Sequence, residues 1–600
     1  MAEKGFHVAD YVVFGLMLLI SAAIGIYHGC TGGKQRTTNE YLLGNRSMKT
    51  FPITMSLLAS FFSAITLLGV PSEVFTYGVQ YNVLILSFFL ITGTAAIIFA
   101  PIFYGLHLTS AHEYLELRYS YGVRKLGCFV FVVQYLLYLS VVLYAPSLAL
   151  KAVAGVPLAT SIISTGVVCT FYTTLGGLKA VVWTDVFQAV VIVIGLITVF
   201  IVGTINVGGL GKVWKINKQR GRLNFFDFDP DPTVRNTFWT LTIGGAFSLM
   251  LPWTVSQAAV QRFLASESIK TAQRSLWLSI PGLIVVVTLC CFDGLVIFAV
   301  YADCDLKESG KVTSNDQVLP YFVIDKLGGL NGVPGIFMAC LFSGSLSTAS
   351  SGLNSMITVV LEDLVKKRWT NLSDYNATNI SKMLAVVFGV VMTCGAFTIQ
   401  YFSTLVLQLV HSMFGIISGP LLGIFLMGVL FPRANYKGAY LGALTGFIFT
   451  LTIATCGMIY PPDKKAGDIS IKGCKFYNST LYLNQTIDGI ISKPFVPHSE
   501  PLAKLGSLSY LWYCATSVFT TIVVGVLTSL LFERNNDRQN RPRPELLFSI
   551  PQFFKSLFCC QKEKSSSDEN SYLSIQLHNK EKGRSKDETV QLKEINRLDM

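Results

Sequence analysis

LFSGSLSTASSGLNSM, residues 341–356, lies inside a long apolar segment and yet carries Ser343, Ser345, Ser347, Thr348, Ser350 and Ser351. A helix facing lipid has little reason to collect so many hydroxyls. Neighbouring positions on a helix point about 100° apart, so Ser347 and Thr348 can face one cleft together with the backbone of Gly344, one turn earlier. Oxygen ligands without a fixed negative charge suit a weakly held, hard monovalent cation. The competing reading is that small hydroxyl residues only let two membrane helices approach closely.

Outward from this stretch the chain is apolar throughout. Of its 600 residues 52% are hydrophobic and 14% charged, the composition of a polytopic membrane protein, which excludes a soluble one. Thirteen runs long enough to cross a hydrocarbon core of about 30 Å lie between residues 11 and 531. The first, Tyr11 to Tyr27, lacks a basic leader and a small-residue cleavage pattern and reads as a retained helix. The sequence holds no phosphate-binding glycine loop, metal cluster or Ser/His/Asp set in a soluble domain, which argues against an enzyme.

The net charge of +12 is dispersed among short loops, which speaks for topology and against a nucleic-acid surface. Lys34, Arg36, Arg46 and Lys49 follow the first run, and Arg118, Arg124 and Lys125 the third. Arg262, Lys270 and Arg274 follow the seventh, and Lys366, Lys367 and Arg368 the ninth. Every second loop is basic, which makes those loops cytoplasmic, the N-terminus external and the C-terminal tail internal. The glycosylation sequons at Asn478 and Asn484 then fall outside, whereas those at Asn45, Asn371, Asn376 and Asn379 fall inside and read as chance matches. Cys304 and Cys474 are the two cysteines in external loops, a candidate disulfide pair with two free thiols as the alternative.

Two segments are interrupted: Phe51 to Val70, rich in Ser and Thr and followed by Pro71, and Phe238 to Gln257, broken by Gly244-Gly245 and Pro252. Five runs counted from Phe51 reach residue 204, and five counted from Phe238 reach residue 431. Each set opens with a broken helix, and because five is odd the sets have opposite orientation. This is the pattern of an inverted-repeat carrier with a site at the midplane. The expected organisation is a preceding helix at 7–29, repeats at 51–204 and 237–431, two peripheral helices with an external loop at 434–531, and a disordered cytoplasmic tail at 532–600. Within the tail, Cys559-Cys560 is a candidate for palmitoylation, and the terminal Leu598-Asp599-Met600 for a PDZ groove.

The strings PSEVFTYG (71–78), HEYLELRY (112–119), YAPSLAL (144–150), TTLGGLKAVVWTDVFQ (173–188), FDFDPDPTVRNTFWT (226–240) and SGSLSTASSGLN (343–354) resemble the sodium:solute symporter family. The likeness runs from about residue 8 to 535. It is strongest to the animal branch that moves anions (multivitamin, monocarboxylate and iodide transporters), with the multivitamin type nearest. The resemblance implies an all-α protein with thirteen transmembrane helices and a five-plus-five, LeuT-like core. It also implies sodium-driven import of a small organic anion across the plasma membrane, either a vitamin such as biotin or pantothenate or a monocarboxylate, with sodium as coupling ion and no cofactor.

The same resemblance puts the main sodium site on the backbone carbonyls of Ala59, Phe62 and Gly344 and the hydroxyls of Ser347 and Thr348. Asp185 falls near the inner sodium path, with an ion pair to Lys179 or another basic residue as the alternative. The substrate cleft falls on Ser63, Thr66, Trp253, Ser256 and Gln257. Thr66 stands where sugar and iodide carriers of the family have Gln and monocarboxylate carriers have Thr. No Lys or Arg occupies the middle of either broken helix, which leaves half-helix ends, hydroxyls and sodium to hold a carboxylate.

Two departures stand out: Trp253-Thr254-Val255-Ser256-Gln257 replaces the branch's aromatic-Gly-Val-Asn-Gln, and Asp293 replaces an uncharged residue. Asp293 is expected in an outer aqueous vestibule, with a buried neutral acid or an ion site as alternatives. Other functions compatible with the sequence are an inorganic-anion or sugar-like symporter and an uncoupled sensor or channel on the same fold.

Overall fold

The computed structural model describes residues 6–30, 46–106, 108–369, 371–402, 405–459, 474, 501–532 and 542–548. The sequons at Asn45, Asn478 and Asn484, the paired cysteines 559–560 and the C-terminal tripeptide lie outside these residues. The major helices are α1 (Val8–Cys30), α2 (Thr50–Phe61), α3 (Ala64–Tyr77) and α4 (Val79–Gly105). Next come α5 (Tyr121–Ala154), α6 (Leu158–Val207), α7 (Gly245–Thr254), α8 (Gln257–Ala265) and α9 (Ile269–Tyr301). The chain continues through α10 (Val333–Val360), α11 (Asp374–Ile399), α12 (Val406–Leu430), α13 (Tyr436–Ile459) and α14 (Trp512–Leu531).

Ten helical stretches among the described residues are long and apolar enough to cross a membrane, and α2 with α3 forms an eleventh bent by 58°. Three of the thirteen expected runs are cut differently. Residues 157–175 and 178–204, read as separate spans, belong to one helix of 50 residues, α6. The backbone stays helical through the Gly176-Gly177 pair between them. At about 1.5 Å per residue its path is about 75 Å, well beyond the thickness of one hydrocarbon core. The run 238–257 is divided instead: a wide turn at Thr240–Gly244 leads into α7, which ends before Val255-Ser256.

Both breaks have local causes. Between α2 and α3 Phe62 leaves helical geometry (φ −92°, ψ 82°), and Ser63 caps α3 by accepting from the Ile65 N–H. Between α7 and α8 Pro252 weakens the last turn of α7. Ser256 then caps α8 by accepting from the Ala259 N–H. Each break leaves backbone groups free of intrahelical partners near the middle of the bundle.

The hydroxyl-rich α10 is buried along its whole length. A β-carbon at Gly344 would lie 2.8 Å from the Phe62 carbonyl oxygen, so glycine is what lets α10 touch the break between α2 and α3. The start of α10 is held by α1: Asp10, fully buried, accepts from the N–H groups of Gly332 (2.9 Å) and Gly335 (3.0 Å). On the basic face, Arg118 of the HEYLELRY string donates to the carbonyls of Gly428, Phe431 and Ala434 at the end of α12. That string therefore works as a cap for another helix. Cys304 and Cys474 form a disulfide.

Candidate functional site

Asp185 of α6 is fully buried, and four helices converge on it. Its Oδ1 accepts from Ser347 Oγ of α10 at 2.6 Å. Its Oδ2 accepts from Ser56 Oγ (2.5 Å) and Ser60 Oγ (3.2 Å) of α2, and from Arg262 Nη2 of α8 (3.1 Å). The side chain of Lys179, the alternative partner, lies outside those described. Arg262 is 1% exposed. It donates through Nε to Ser56 Oγ (2.9 Å), through Nη1 to the Ala258 carbonyl (2.6 Å), and through Nη2 to Ser351 Oγ (2.8 Å) and Ser60 Oγ. The two serines of α2 thus relay between guanidinium and carboxylate. The sequence reading missed Arg262 as a site residue and counted it only as a basic loop marker.

The five oxygen-bearing residues implied for sodium lie next to this knot. Ala59 and Phe62 are buried at the end of α2, and Gly344 abuts the Phe62 carbonyl. Thr348 Oγ1 donates to the Ser60 carbonyl at 3.0 Å, while the Ser347 hydroxyl donates to Asp185. Both hydroxyl protons are thereby committed, and among the described residues no donor takes up the oxygen lone pairs, the part a cation needs.

A cavity of about 70 Å³ adjoins this region and is lined by Ser60, Ser63, Thr66, Trp253, Thr348 and Ser351, together with side chains of α5 and α12. Trp253 stacks on Phe61 with ring centroids 4.0 Å apart. Ser256 and Gln257, expected on the cleft wall, are not among the residues that line this cavity. Ser256 serves as the α8 cap and donates to the Pro252 carbonyl (2.6 Å). Gln257 is turned toward the 109–111 segment, accepting from the Ala111 N–H (2.8 Å) and donating to the Thr109 carbonyl (2.9 Å). Tyr135 and Tyr138 of α5 and Leu407, Val410, His411 and Phe414 of α12 line the cavity and were not read from the sequence. Asp293 does not face a vestibule: it is 0% exposed, and neither carboxyl oxygen has a hydrogen-bond partner among the described residues.

At the opposite end Glu73 of α3, also fully buried, accepts from Arg235 Nε (2.7 Å) and Nη2 (2.9 Å) and from Asn236 Nδ2 (2.9 Å). Arg235 also donates to Gln408 Oε1 of α12 (2.8 Å), and its guanidinium lies over the rings of Tyr77 and Tyr510. This bidentate pair joins α3 to α12 beside cavity residue Leu407. The cavity therefore sits between the buried Asp185–Arg262 knot and the half-buried Glu73–Arg235 pair.

Near this second knot, Asn315 accepts from Ser72 Oγ through its carbonyl (2.8 Å) and donates to Thr76 Oγ1 (3.1 Å). Asp316 accepts from the Val406 N–H that begins α12 (3.1 Å). Burial pushes the Asp316 carboxyl up to about 6; the nearby Glu73 carboxylate adds to the rise, and the Val406 N–H and Ser314 hydroxyl oppose it. An aspartate in an unfolded chain titrates near 3.9, so between about pH 4 and 6 the folded protein binds the extra proton. Stability accordingly rises as pH falls through 6, by about 3 kcal/mol at most. Melting curves of detergent-solubilised protein from pH 7.5 to 5 should show this gain, and Asp316→Asn should lack it. Parallel curves for the two proteins would refute the assignment.

Residues 41–446 match the sodium:solute symporter family. The sodium-dependent multivitamin transporter of Oryctolagus cuniculus is 43% identical over 564 residues, 92% of this chain and 88% of that protein. Sodium-coupled monocarboxylate transporter 1 of Mus musculus is 40% identical over 586 residues, 96% of this chain and 94% of the relative. Among solved structures, a substrate-bound, outward-open Na+-coupled sialic acid symporter superposes with a TM-score of 0.70 at 22% identity, covering 88% of this chain and 99% of the other. The chain belongs to the sodium:solute symporter family, and its fold is that of a membrane transporter rather than an enzyme.

Proposed function

We propose that this protein is a sodium-coupled symporter that imports a small organic anion by alternating access. The observation that carries the reading is the small cavity between the two arginine–carboxylate knots, lined in part by the hydroxyls of Ser60, Ser63, Thr66, Thr348 and Ser351. None of its lining residues is Lys, Arg, Asp or Glu. Opening the outer knot admits solutes, and opening the inner one releases them. The transport activities named for the multivitamin and monocarboxylate relatives support an anionic cargo. A volume of about 70 Å³ is far below the roughly 300–1,000 Å³ of pockets that hold drug-sized ligands. A short monocarboxylate suits this closed arrangement; an anion the size of biotin or pantothenate requires the cavity to widen.

Sodium supplies the drive through the carbonyls of Ala59, Phe62 and Gly344 and the hydroxyls of Ser347 and Thr348, with Asp185 next on the inward path. A tenfold sodium gradient is worth about 1.4 kcal/mol, and a potential of roughly 60 mV adds about 1.4 per net charge moved. One sodium with one monovalent anion is electroneutral and forfeits the second contribution, which favours two or more sodium ions per cycle. The decisive experiment is uptake of labelled lactate, nicotinate, biotin, pantothenate, iodide and glucose by expressing cells, in sodium and in choline. Sodium-dependent glucose uptake without any response to carboxylates would reject the proposal.

Thirteen spans in a five-plus-five arrangement, at the plasma membrane with an external N-terminus and an internal tail, complete this reading. The Cys304–Cys474 disulfide supports an oxidising side for those two loops. Glycan is then expected on Asn478 or Asn484 and not on Asn371, Asn376 or Asn379. A gel shift abolished by Asn371→Gln alone would invert the orientation.

A further inference from the structure

His411 lies in the second turn of α12, is 3% exposed and lines the cavity. It is the single imidazole among the lining residues; the other polar side-chain groups there are hydroxyls and the indole N–H of Trp253. Its Nδ1 lies 2.7 Å from Ser248 Oγ of α7, a tight bond, whereas its Nε2 lies 3.3 Å from the Tyr81 hydroxyl of α4, a loose one. The two nitrogens are thus unequally committed. When the Ser248 hydroxyl donates to Nδ1, the ring proton resides on Nε2, the edge with the weaker partner. A buried imidazole N–H with a loose partner is a donor that a better acceptor can take over.

We propose that His411 is the specificity-determining residue for the cargo carboxylate: its Nε2–H leaves Tyr81 and donates to a carboxylate oxygen when a monovalent organic acid occupies the cavity. Ser248 acts through the imidazole, as the positioning residue that fixes its tautomer. This inference rests on the carboxylate reading above and supplies the directed donor that reading lacks. A neutral analogue with an amide or hydroxyl in place of the carboxylate draws less from this donor, because hydrogen bonds to an ionised acceptor are roughly twice as strong. The competing role is purely structural, a polar cross-link among α12, α7 and α4.

The test uses the full-length protein in cells, with labelled lactate, nicotinate and biotin as probes at matched surface expression. His411→Leu should raise the KM for the transported carboxylate by about tenfold to a hundredfold, leaving the sodium half-saturation at high substrate within about twofold. His411→Gln retains an N–H donor and should stay within about threefold of wild type. Tyr81→Phe removes the competing partner and should leave KM unchanged or lower it. A structural cross-link predicts the opposite pattern: reduced Vmax with unchanged KM in His411→Leu, and impairment in Tyr81→Phe. If His411→Leu fails to reach the surface, a raised KM in Tyr81→Phe or a normal KM in a His411→Ala variant overturns the proposal. Wild-type protein that transports none of the carboxylates overturns the symport reading and this inference together. Wild-type uptake with an unchanged KM in His411→Leu overturns this inference alone.

Discussion

Arg262→Met should lower sodium-dependent uptake to less than about one hundredth of wild type, the largest loss expected from any single substitution outside the cavity. Removing one member of a buried ion pair leaves the other charge uncompensated, at a cost of about 3–5 kcal/mol. Here the stranded group is Asp185, which would keep only the hydroxyls of Ser56, Ser60 and Ser347. Arg262→Lys should rescue little, because one ammonium cannot reach Ser56, Ser60, Ser351, Asp185 and the Ala258 carbonyl as the planar fork does. The double variant Asp185→Asn with Arg262→Met removes both charges. It should recover surface expression and melting temperature while uptake stays low, since the hydroxyls no longer meet a carboxylate. Wild-type uptake in Arg262→Met would show that the knot is dispensable and that neither charge lies on the transport path.

Thr348→Ala should weaken apparent sodium affinity by about five-fold to more than a hundred-fold, the range given by losing one polar contact of about 1–3 kcal/mol. Carboxylate affinity at saturating sodium should change far less. Since both ligands favour the same loaded state, the sodium dependence of carboxylate binding should also move to higher concentration. Thr348→Ser keeps the oxygen that donates to the Ser60 carbonyl and should retain most activity. Ser347→Ala should be the more severe change, because its hydroxyl also holds Asp185 Oδ1. If α10 uses these residues only for close packing, alanine is as good as serine and Thr348→Ala keeps the wild-type sodium curve. Uptake measured against sodium concentration at equal surface expression separates the two.

Much of the architecture was legible in local pattern. Hydroxyls in an apolar run marked α10, Gly and Pro marked the broken segments, and Cys304 and Cys474 stood out as the pair in external loops. What escaped the sequence was made by distance. Arg262 looks like an ordinary positive charge after an apolar run, and its role appears only when residues 56, 60, 185 and 351 are brought around it. His411 was invisible for a similar reason: it lies on α12, far along the chain from the broken helices, and meets Ser248 and Tyr81 only in the folded protein. Asp293 shows the limit of reasoning from neighbours along the chain. Cys304 and Asp305 suggested water nearby, but packing against α3 places Gly294 on the Pro71 carbonyl and closes the region.

The bond from Asp10 to the start of α10 has a consequence for how the protein is made. Its acceptor and donor are separated by 322 and 325 positions. At about 5–20 residues per second, the ribosome needs about 15 to 65 seconds after Asp10 before Gly332 and Gly335 exist. Throughout that interval the Asp10 carboxylate has the His7 N–H of its own segment (2.8 Å) but not the two donors of α10. The contact between α1 and the start of α10 is therefore completed only after α10 has been synthesised.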